Sequence, residues 1–259
     1  LKVKQARALL EPKGRREQGR CLIEGVRLIE EALRAGISPA LVFFVDQARR
    51  SPRSAGLLAA AEAAGAALLE LSPGVFGTLS DTVASQGVIA VAPIPRVTLP
   101  ERAALILVLD QVRDPGNLGA ILRSAEAAGV SLVILAPGCV DPWNPKVVRS
   151  GMGAHFRLPL VPAATWDSVA AHLQGRPVWL VAAHGALPYD RVVWTAACAL
   201  IIGSEAAGLS AEADGLGTGH VTIPMAAPVE SLNAAMAATV LLFEAARQRR
   251  QQDGRSLQS

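Results

Sequence analysis

Short apolar runs alternate with polar and amphipathic stretches along most of this chain. The runs at 41–45, 67–71, 87–91, 105–110, 132–135, 178–181, 199–202 and 220–223 are four to six residues long, the length of buried strands rather than of helices. A further short strand is expected at 20–23. Between the strands the period changes. Over 24–35, Leu28, Ile29, Ala32 and Leu33 fall on one helical face and Gly36 is the stop. An Ala-rich helix over 54–64 stops at Gly65, and Ser72-Pro73 reads as an N-cap followed by Pro at the first helical position. Helices are also expected at 118–128, 166–173 and 232–250. Near-continuous apolar strands separated by helices predict an α/β fold with a mostly parallel sheet covered on both faces.

One stretch interrupts this grammar. Residues 92–100 hold three prolines in nine positions, which neither a helix nor a central strand accommodates. The boundary is placed there. A smaller α/β domain spans 1–95, a linker 96–103, a larger domain 104–250, and a short polar tail 251–259.

Composition narrows the classes. A hydrophobic content of 51% supports a real core, with packing resting on Ala, Leu, Val and Ile because aromatics make up only 4%. No apolar run is long enough to span a membrane, and the basic beginning of the chain shows no apolar leader. Cys21, Cys139 and Cys198 are isolated, and His155, His172, His184 and His220 form no ligand pattern. No metal, no membrane partner and a reducing, cytoplasmic setting are expected. The net charge is +3 but uneven. Residues 1–20 carry seven basic side chains against two acidic ones, and Arg247, Arg249, Arg250 and Arg255 close the chain. Basic ends on a nearly neutral body suit either solubilising tails or contact with a phosphate backbone.

Three blocks in the second half carry the candidate chemistry. In Asp110-Gln-Val-Arg-Asp-Pro-Gly-Asn-Leu-Gly-Ala-Ile-Leu-Arg123, a strand ends at Asp110, Asp114-Pro-Gly turns the chain, and Asn117 sits where an N-cap is expected. Arg123 in the following helix suits a phosphate or carboxylate clamp, or a surface pair with Glu126. In Ile201-Ile-Gly-Ser-Glu-Ala-Ala-Gly-Leu209, Gly203 would let a flat ligand approach the backbone. Glu205 there reads equally as a carboxylate favoured at a helix N-terminus. In Ile223-Pro-Met-Ala-Ala-Pro-Val-Glu-Ser-Leu-Asn233, Pro224 and Pro228 hold the chain extended. Ser231 reads as an N-cap, with Asn233 just inside the long helix. No dinucleotide fingerprint, P-loop or nucleophile elbow is present.

Together these blocks resemble the three motifs of the SpoU/TrmH family of RNA ribose 2′-O-methyltransferases, in order and spacing over about 105–250. Lys146-Val-Val-Arg-Ser-Gly-Met-Gly-Ala154 is similar to the family's segment between its first two motifs. Cys21-Leu-Ile-Glu-Gly-Val-Arg-Leu-Ile-Glu30 and Ser85-Gln-Gly-Val-Ile-Ala90 resemble its N-terminal, L30e-like substrate-binding domain. The resemblance implies a C-terminal trefoil knot, which no periodicity shows and the usual rules of chain topology disfavour. It also implies a homodimer and S-adenosylmethionine as methyl donor. By position, Gly203, Ile223, Leu232, Ile202, Met225 and the loop at Ala183 and Gly185 would line the cofactor pocket. Arg123, Asn117, Glu205, Ser231 and Asn233 would form the catalytic constellation. Lys13, Arg15, Arg16, Arg20 and Arg149 are the expected RNA contacts.

Methyl transfer from a sulfonium is an in-line displacement, so alignment of the ribose oxygen carries much of the rate. A guanidinium is too weak a base to deprotonate a hydroxyl. Arg123 is therefore expected to hold the RNA phosphate and stabilise developing alkoxide charge, with a phosphate oxygen helping to take the proton. Asn117, Ser231 and Asn233 would orient the reacting groups, and Glu205 would fix Arg123 or Asn117. The resemblance points to rRNA, of the 23S type, ahead of tRNA. Alternatives are a non-catalytic rRNA-binding assembly factor and methylation of a base rather than a ribose.

Overall fold

The computed structural model describes all residues except 83, 97, 183–186, 205–207, 227–230, 253 and 255–259. In chain order the first elements are α1 (Lys2–Ala8), α2 (Pro12–Gln18), β1 (Arg20–Glu24), α3 (Val26–Arg34), β2 (Leu41–Phe44), α4 (Asp46–Arg50), α5 (Pro52–Ala63), β3 (Ala67–Glu70), α6 (Pro73–Phe76) and β4 (Val88–Pro93). There follow β5 (Leu105–Leu109), α7 (Pro115–Ala127), β6 (Leu132–Leu135), α8 (Pro145–Gly151), β7 (Leu160–Val161), α9 (Trp166–Leu173), β8 (Val178–Val181), β9 (Leu187–Pro188), β10 (Cys198–Ile202), α10 (Ala211–Asp214), β11 (Gly219–Thr222) and α11 (Ala234–Gln252). The chain divides into two units. One comprises Leu1–Arg96 with Asp141–Arg157, the other Val97–Val140 with Leu158–Ser259.

The first unit is built on a four-stranded sheet ordered β1-β4-β2-β3, in which β4 runs antiparallel to both neighbours and β2 and β3 are parallel. Side chains alternate across the sheet, and both faces are covered. Cys21, Ile23, Val42, Phe44, Val88 and Ala90 meet residues of α3 and α5 on one side. Leu22, Leu41, Phe43, Ile89 and Val91 meet Ala6, Leu9, Phe76 and Leu79 on the other. Segment 141–157, which lies in sequence between β6 and β7, contributes Trp143, Val148 and Phe156 to the first of these clusters.

Two polar ties explain motif residues that periodicity leaves unaccounted for. The Glu24 carboxylate, 8% exposed, accepts from the hydroxyls of Ser80 (2.6 Å), Ser85 (2.7 Å) and Thr82 (3.1 Å) and from Arg149 Nη1 (3.3 Å). Gln86 Oε1 accepts the amide of Val26 (2.9 Å) at the start of α3. The Glu-Gly and Ser-Gln-Gly pieces noted in the sequence therefore meet in space. Arg149, which also pairs with Asp81 at 2.6 Å, fastens α8 to β1 and is not the open RNA contact expected of it.

Arg15 is a second correction. Although it sits in a basic run, it is 1% exposed. Its Nη1 donates to the carbonyls of Leu9 (2.7 Å) and Leu10 (2.8 Å), and its Nε and Nη2 pair with Asp141 (2.8 and 2.6 Å). It closes the turn between α1 and α2, two helices that the hydrophobic pattern does not announce. Gly14 belongs to the same crossing, since a Cβ there would stand 2.0 Å from the Ala8 carbonyl oxygen. Lys13 pairs loosely with Glu17 at 3.8 Å, and Arg16 and Arg20 are exposed.

The second unit carries a seven-stranded, all-parallel sheet ordered β7-β6-β5-β10-β8-β11-β9. Ile106, Val108, Ile134, Leu180, Ala199 and Ile201 pack with Val169, Leu173 and Ala213 on one side. Leu105, Leu107 and Leu109 alternate to the other, where α7 and α11 pack together and bury Leu118, Ile121, Leu122, Leu241 and Leu242. One of the C-terminal arginines belongs to the fold. Arg249 donates to the carbonyls of Trp194 (2.8 Å), Ala196 (2.9 Å) and Ala104 (3.1 Å), and Arg247 pairs with Glu244 (2.7 Å). Of the two alternatives left open for this cluster, Arg249 takes neither, being spent on these carbonyls, whereas Arg247 stays exposed at the surface. Tail residues 253 and 255–259 lie outside the described residues.

Candidate active site

In an open parallel sheet, sites form beyond the carboxyl ends of the strands, where successive connections leave in opposite directions. Here β6 lies to one side of β5 and β10 to the other. Beyond the ends of β8, β10 and β11 lies a cavity of about 240 Å³. Ile202, Gly203, Ile223, Met225, Ser231 and Leu232 all line it, with Ser204, Leu209 and Thr222 among their neighbours. Five expected pocket residues and Ser231, expected in the catalytic set, thus converge from the second and third blocks. Ala183, Gly185 and Glu205 lie outside the described residues.

The reason for Gly203 differs from the expected one. A Cβ there would stand 2.3 Å from the Gly208 carbonyl oxygen and 2.8 Å from the Leu209 amide nitrogen. The close approach is made by the chain's own backbone. Ser204 and Gly208 exchange backbone hydrogen bonds (3.0 and 2.8 Å) just beyond the strand end. Asp110 ties this loop down. It is 1% exposed at the end of β5, its amide donates to the Ile202 carbonyl (2.9 Å), and its Oδ2 accepts from the Ser210 amide (2.6 Å). Ser210 in turn caps α10 by accepting from Ala213 N (3.3 Å). The sequence offers one signal for this tether, an acidic residue at the end of an apolar run. Immediately after it, Gln111 adopts the left-handed conformation (φ 55°), and its Oε1 accepts from Arg113 Nη2 (2.9 Å). Such backbone outliers gather at functional sites.

The caps also differ from expectation. Asp114, not Asn117, is the N-cap of α7, accepting the Asn117 amide at 2.8 Å. Asn233, not Ser231, caps α11, accepting the amides of Ala235 (2.9 Å) and Met236 (3.3 Å) through Oδ1. Its Nδ2 donates to Asn117 Oδ1 (3.1 Å). The two asparagines, 116 residues apart, thus form one unit at the start of α11, beside cavity-lining Leu232 and Ala234. Arg123 stands six residues beyond Asn117, about 9 Å further along α7. It is exposed, lines neither the cavity nor the shallow depression around Asn117 and Asn233, and makes no hydrogen bond or ion pair among the described residues. Within one chain it does not join the constellation expected of it.

Among the described residues, no charged side chain lines the cavity. That suits a ligand held by apolar contact and strand-end backbone rather than by its phosphates. Leu209, Ile223, Met225 and Leu232 offer surfaces for a flat ring, and Ser204 and Ser231 stand where polar groups would orient it. The donor set fits S-adenosylmethionine, which carries no phosphate.

Residues 104–243 match the SpoU rRNA Methylase family, and residues 1–90 an MRM3-like substrate binding domain. The chain belongs to the SpoU rRNA methylase family. It is 37% identical over 291 residues to the mitochondrial rRNA methyltransferase 3A of Danio rerio, covering 90% of this chain and 65% of that protein. It is 34% identical to RlmP of Bacillus subtilis, a 23S rRNA guanosine 2′-O-methyltransferase, over 93% of this chain and 94% of that one. The SpoU methyltransferase AviRb of Streptomyces viridochromogenes, solved with the cofactor AdoMet, superposes with a TM-score of 0.86 at 32% identity, covering 96% and 97% of the two chains.

Proposed function

We infer that this chain transfers a methyl group from S-adenosylmethionine to the ribose 2′-hydroxyl of a nucleotide in structured rRNA. The observation that carries this reading is the strand-end cavity, lined by no charged side chain among the described residues, with Asn233 held by Asn117 between cavity-lining Leu232 and Ala234, in a chain whose two parts match a SpoU methylase and a substrate binding domain. S-adenosylmethionine, when bound, supplies a methyl group activated for in-line displacement. Ile202, Gly203, Ile223, Met225, Ser231 and Leu232 would hold it, and the Asp110 tether would keep Gly208, Leu209 and Ser210 in place beside it. Asn233 spends its carbonyl on α11 and its amide on Asn117, so its rotamer is fixed and it can orient a neighbour without reorganising. Arg123 would bind the phosphate next to the target ribose and stabilise charge developing on its oxygen. The rRNA names of the relatives support rRNA, of the large-subunit type, over tRNA.

A homodimer belongs to the same proposal. On α11, Met236 is 63% and Phe243 42% exposed, and Ala120, Ala235 and Val240 line the shallow depression beside Asn117 and Asn233. A second copy covering this face would bury them. It would also allow Arg123 of one copy to serve the cavity of the other, a reading that its position outside its own cavity supports.

The test is transfer of tritiated methyl from S-adenosylmethionine to an unmodified large-subunit rRNA transcript, followed by alkaline hydrolysis. Label in an alkali-resistant dinucleotide is the expected result, because a methylated 2′-oxygen cannot attack the adjacent phosphate. Label released with a mononucleotide would mean base methylation. Binding without transfer would favour an assembly factor.

A further inference from the structure

In the first unit, α3 buries Val26, Leu28, Ile29 and Ala32 and turns the complementary stripe, Arg27, Glu30, Glu31 and Arg34, outward. Two further arginines reach this stripe from distant parts of the chain. Arg53, in α5, grips Glu30 with both arms of its fork (Nε–Oε1 3.0 Å, Nη2–Oε2 2.7 Å). Arg157, at the end of the inserted segment 141–157, reaches Glu31 Oε2 at 3.1 Å. Arg34 bridges the two, contacting Glu30 at 3.4 Å and Glu31 more closely. Gly153 lets the inserted segment approach, since a Cβ there would stand 3.1 Å from Glu31 Cβ.

The arrangement is layered. The glutamates are 21% exposed and form the base, whereas Arg34 and Arg53 are 60% and Arg157 42% exposed above them. Arg27, exposed at the first turn of α3, makes no hydrogen bond among the described residues. It is nevertheless close enough to help hold the Glu30 carboxyl below its ordinary range, after Arg53 and Arg34. Among the described residues, four guanidiniums stand over two carboxylates in this cluster. A guanidinium that spends two N–H groups on a carboxylate retains three others. Planar forks held in place are suited to phosphate oxygens. The first twenty residues are the rival. There Arg15 is buried and Lys13 has an acidic neighbour, so the density of positive charge in sequence overstates what the surface offers.

We propose that Arg27, Arg34, Arg53 and Arg157 form the surface on which the first unit binds the phosphate backbone of RNA, with Glu30 and Glu31 as the base that orders them. This rests on the reading of rRNA as substrate. The test measures binding of an unmodified large-subunit rRNA transcript to the full-length chain over a range of salt concentrations, alongside methyl transfer. Replacing Arg27 and Arg53 together (R27Q/R53Q) is expected to weaken binding about tenfold at physiological salt. It should also make the dependence of log affinity on log salt shallower by about 1.5, the share of two phosphate contacts. The maximal rate at saturating RNA should hold and the KM for RNA should rise. R27K/R53K should retain most of the affinity. R27Q alone, at a position without a hydrogen bond, guards against misfolding and should give about half the change in slope. Unchanged affinity and slope in R27Q and R27Q/R53Q would overturn the proposal, as would a larger loss on removing Lys13, Arg16 and Arg20. A wild-type chain that binds the transcript but transfers no methyl would instead defeat the functional reading, and the slopes would still judge this surface.

Discussion

The two units handle polar groups in opposite ways. The second unit brings a cavity that, among the described residues, has no charged side chain to the ends of its parallel strands and fixes it with backbone contacts, two asparagines and one buried aspartate. The first unit uses carboxylates, from buried Glu24 to part-exposed Glu30 and Glu31, and surrounds these with donors: Glu24 with three hydroxyls and Arg149, Glu30 and Glu31 with arginines, Asp141 with Arg15. The difference matches what each is proposed to hold. A small cofactor without phosphate is recognised by shape and backbone, whereas an RNA is held by many moderate charge contacts on a prepared surface.

The sharpest way to break this division is at Arg123. Arg123→Ala should lower methyl transfer about 100- to 1,000-fold, the cost of losing one charge-stabilising donor, while calorimetric binding of S-adenosylmethionine is unchanged. Mixing this variant with a cavity-blocked Leu232→Trp chain should restore part of the activity if Arg123 serves the neighbouring copy. Absence of any recovery in proven mixed dimers would place its action within one chain.

Next in size is Arg15. Arg15→Ala strips Asp141 of its counter-charge and leaves two carbonyls unpaired. It should destabilise the first unit by about 3–5 kcal/mol, read by denaturant unfolding, with little change in the salt dependence of RNA binding among folded molecules. A lost salt slope at full stability would return Arg15 to the RNA surface.

His155 gives a smaller effect with a definite sign. It is fully buried against Trp143, ring centroids 5.3 Å apart, and burial pushes its pKa down from 6.5 to about 4. The folded state therefore disfavours the proton that the unfolded chain accepts. Stability from this residue is complete above about pH 6.5 and is lost as the pH falls towards 4, by on the order of 3 kcal/mol in all. Trp143 fluorescence during urea unfolding across that window should report it. In His155→Phe the slope between pH 6.5 and 4 should flatten.

The smallest effect is expected at Asp110. Asp110→Ala leaves the Ser210 amide without its acceptor, costing about 1–3 kcal/mol. It should weaken cofactor binding through the untethered 203–210 loop rather than through lost contact. Cofactor affinity equal to that of the unaltered chain would show that the loop is held by other means.

How much of this was legible in the sequence depended on how local its cause was. β5, β6, β8 and β10 are short apolar runs, and the sequence reading places them within a residue or two. The glycines and prolines of the three blocks mark turns that meet at one sheet edge. The two-residue strands β7 and β9 carry too little pattern to show. α1 and α2 are hidden because each is short and the turn between them is closed by Arg15, whose partner Asp141 lies 126 residues away. The caps were misread for a related reason. Asp114 and Asn117, or Ser231 and Asn233, are all capable caps, and only the Asn117–Asn233 contact across the unit decides which residue does which task. The membership of segment 141–157 in the first unit is likewise invisible from its neighbours in sequence, because Trp143, Val148 and Phe156 are apolar in any setting.

The most direct test of the central claim is a crystal structure of the full chain with S-adenosylhomocysteine. The expected result is density for the ligand in the cavity bounded by Gly203, Ile223 and Leu232, with its sulfur facing the Asn117–Asn233 pair. Density at another site, or a cavity filled by the chain's own side chains at saturating ligand, would contradict it.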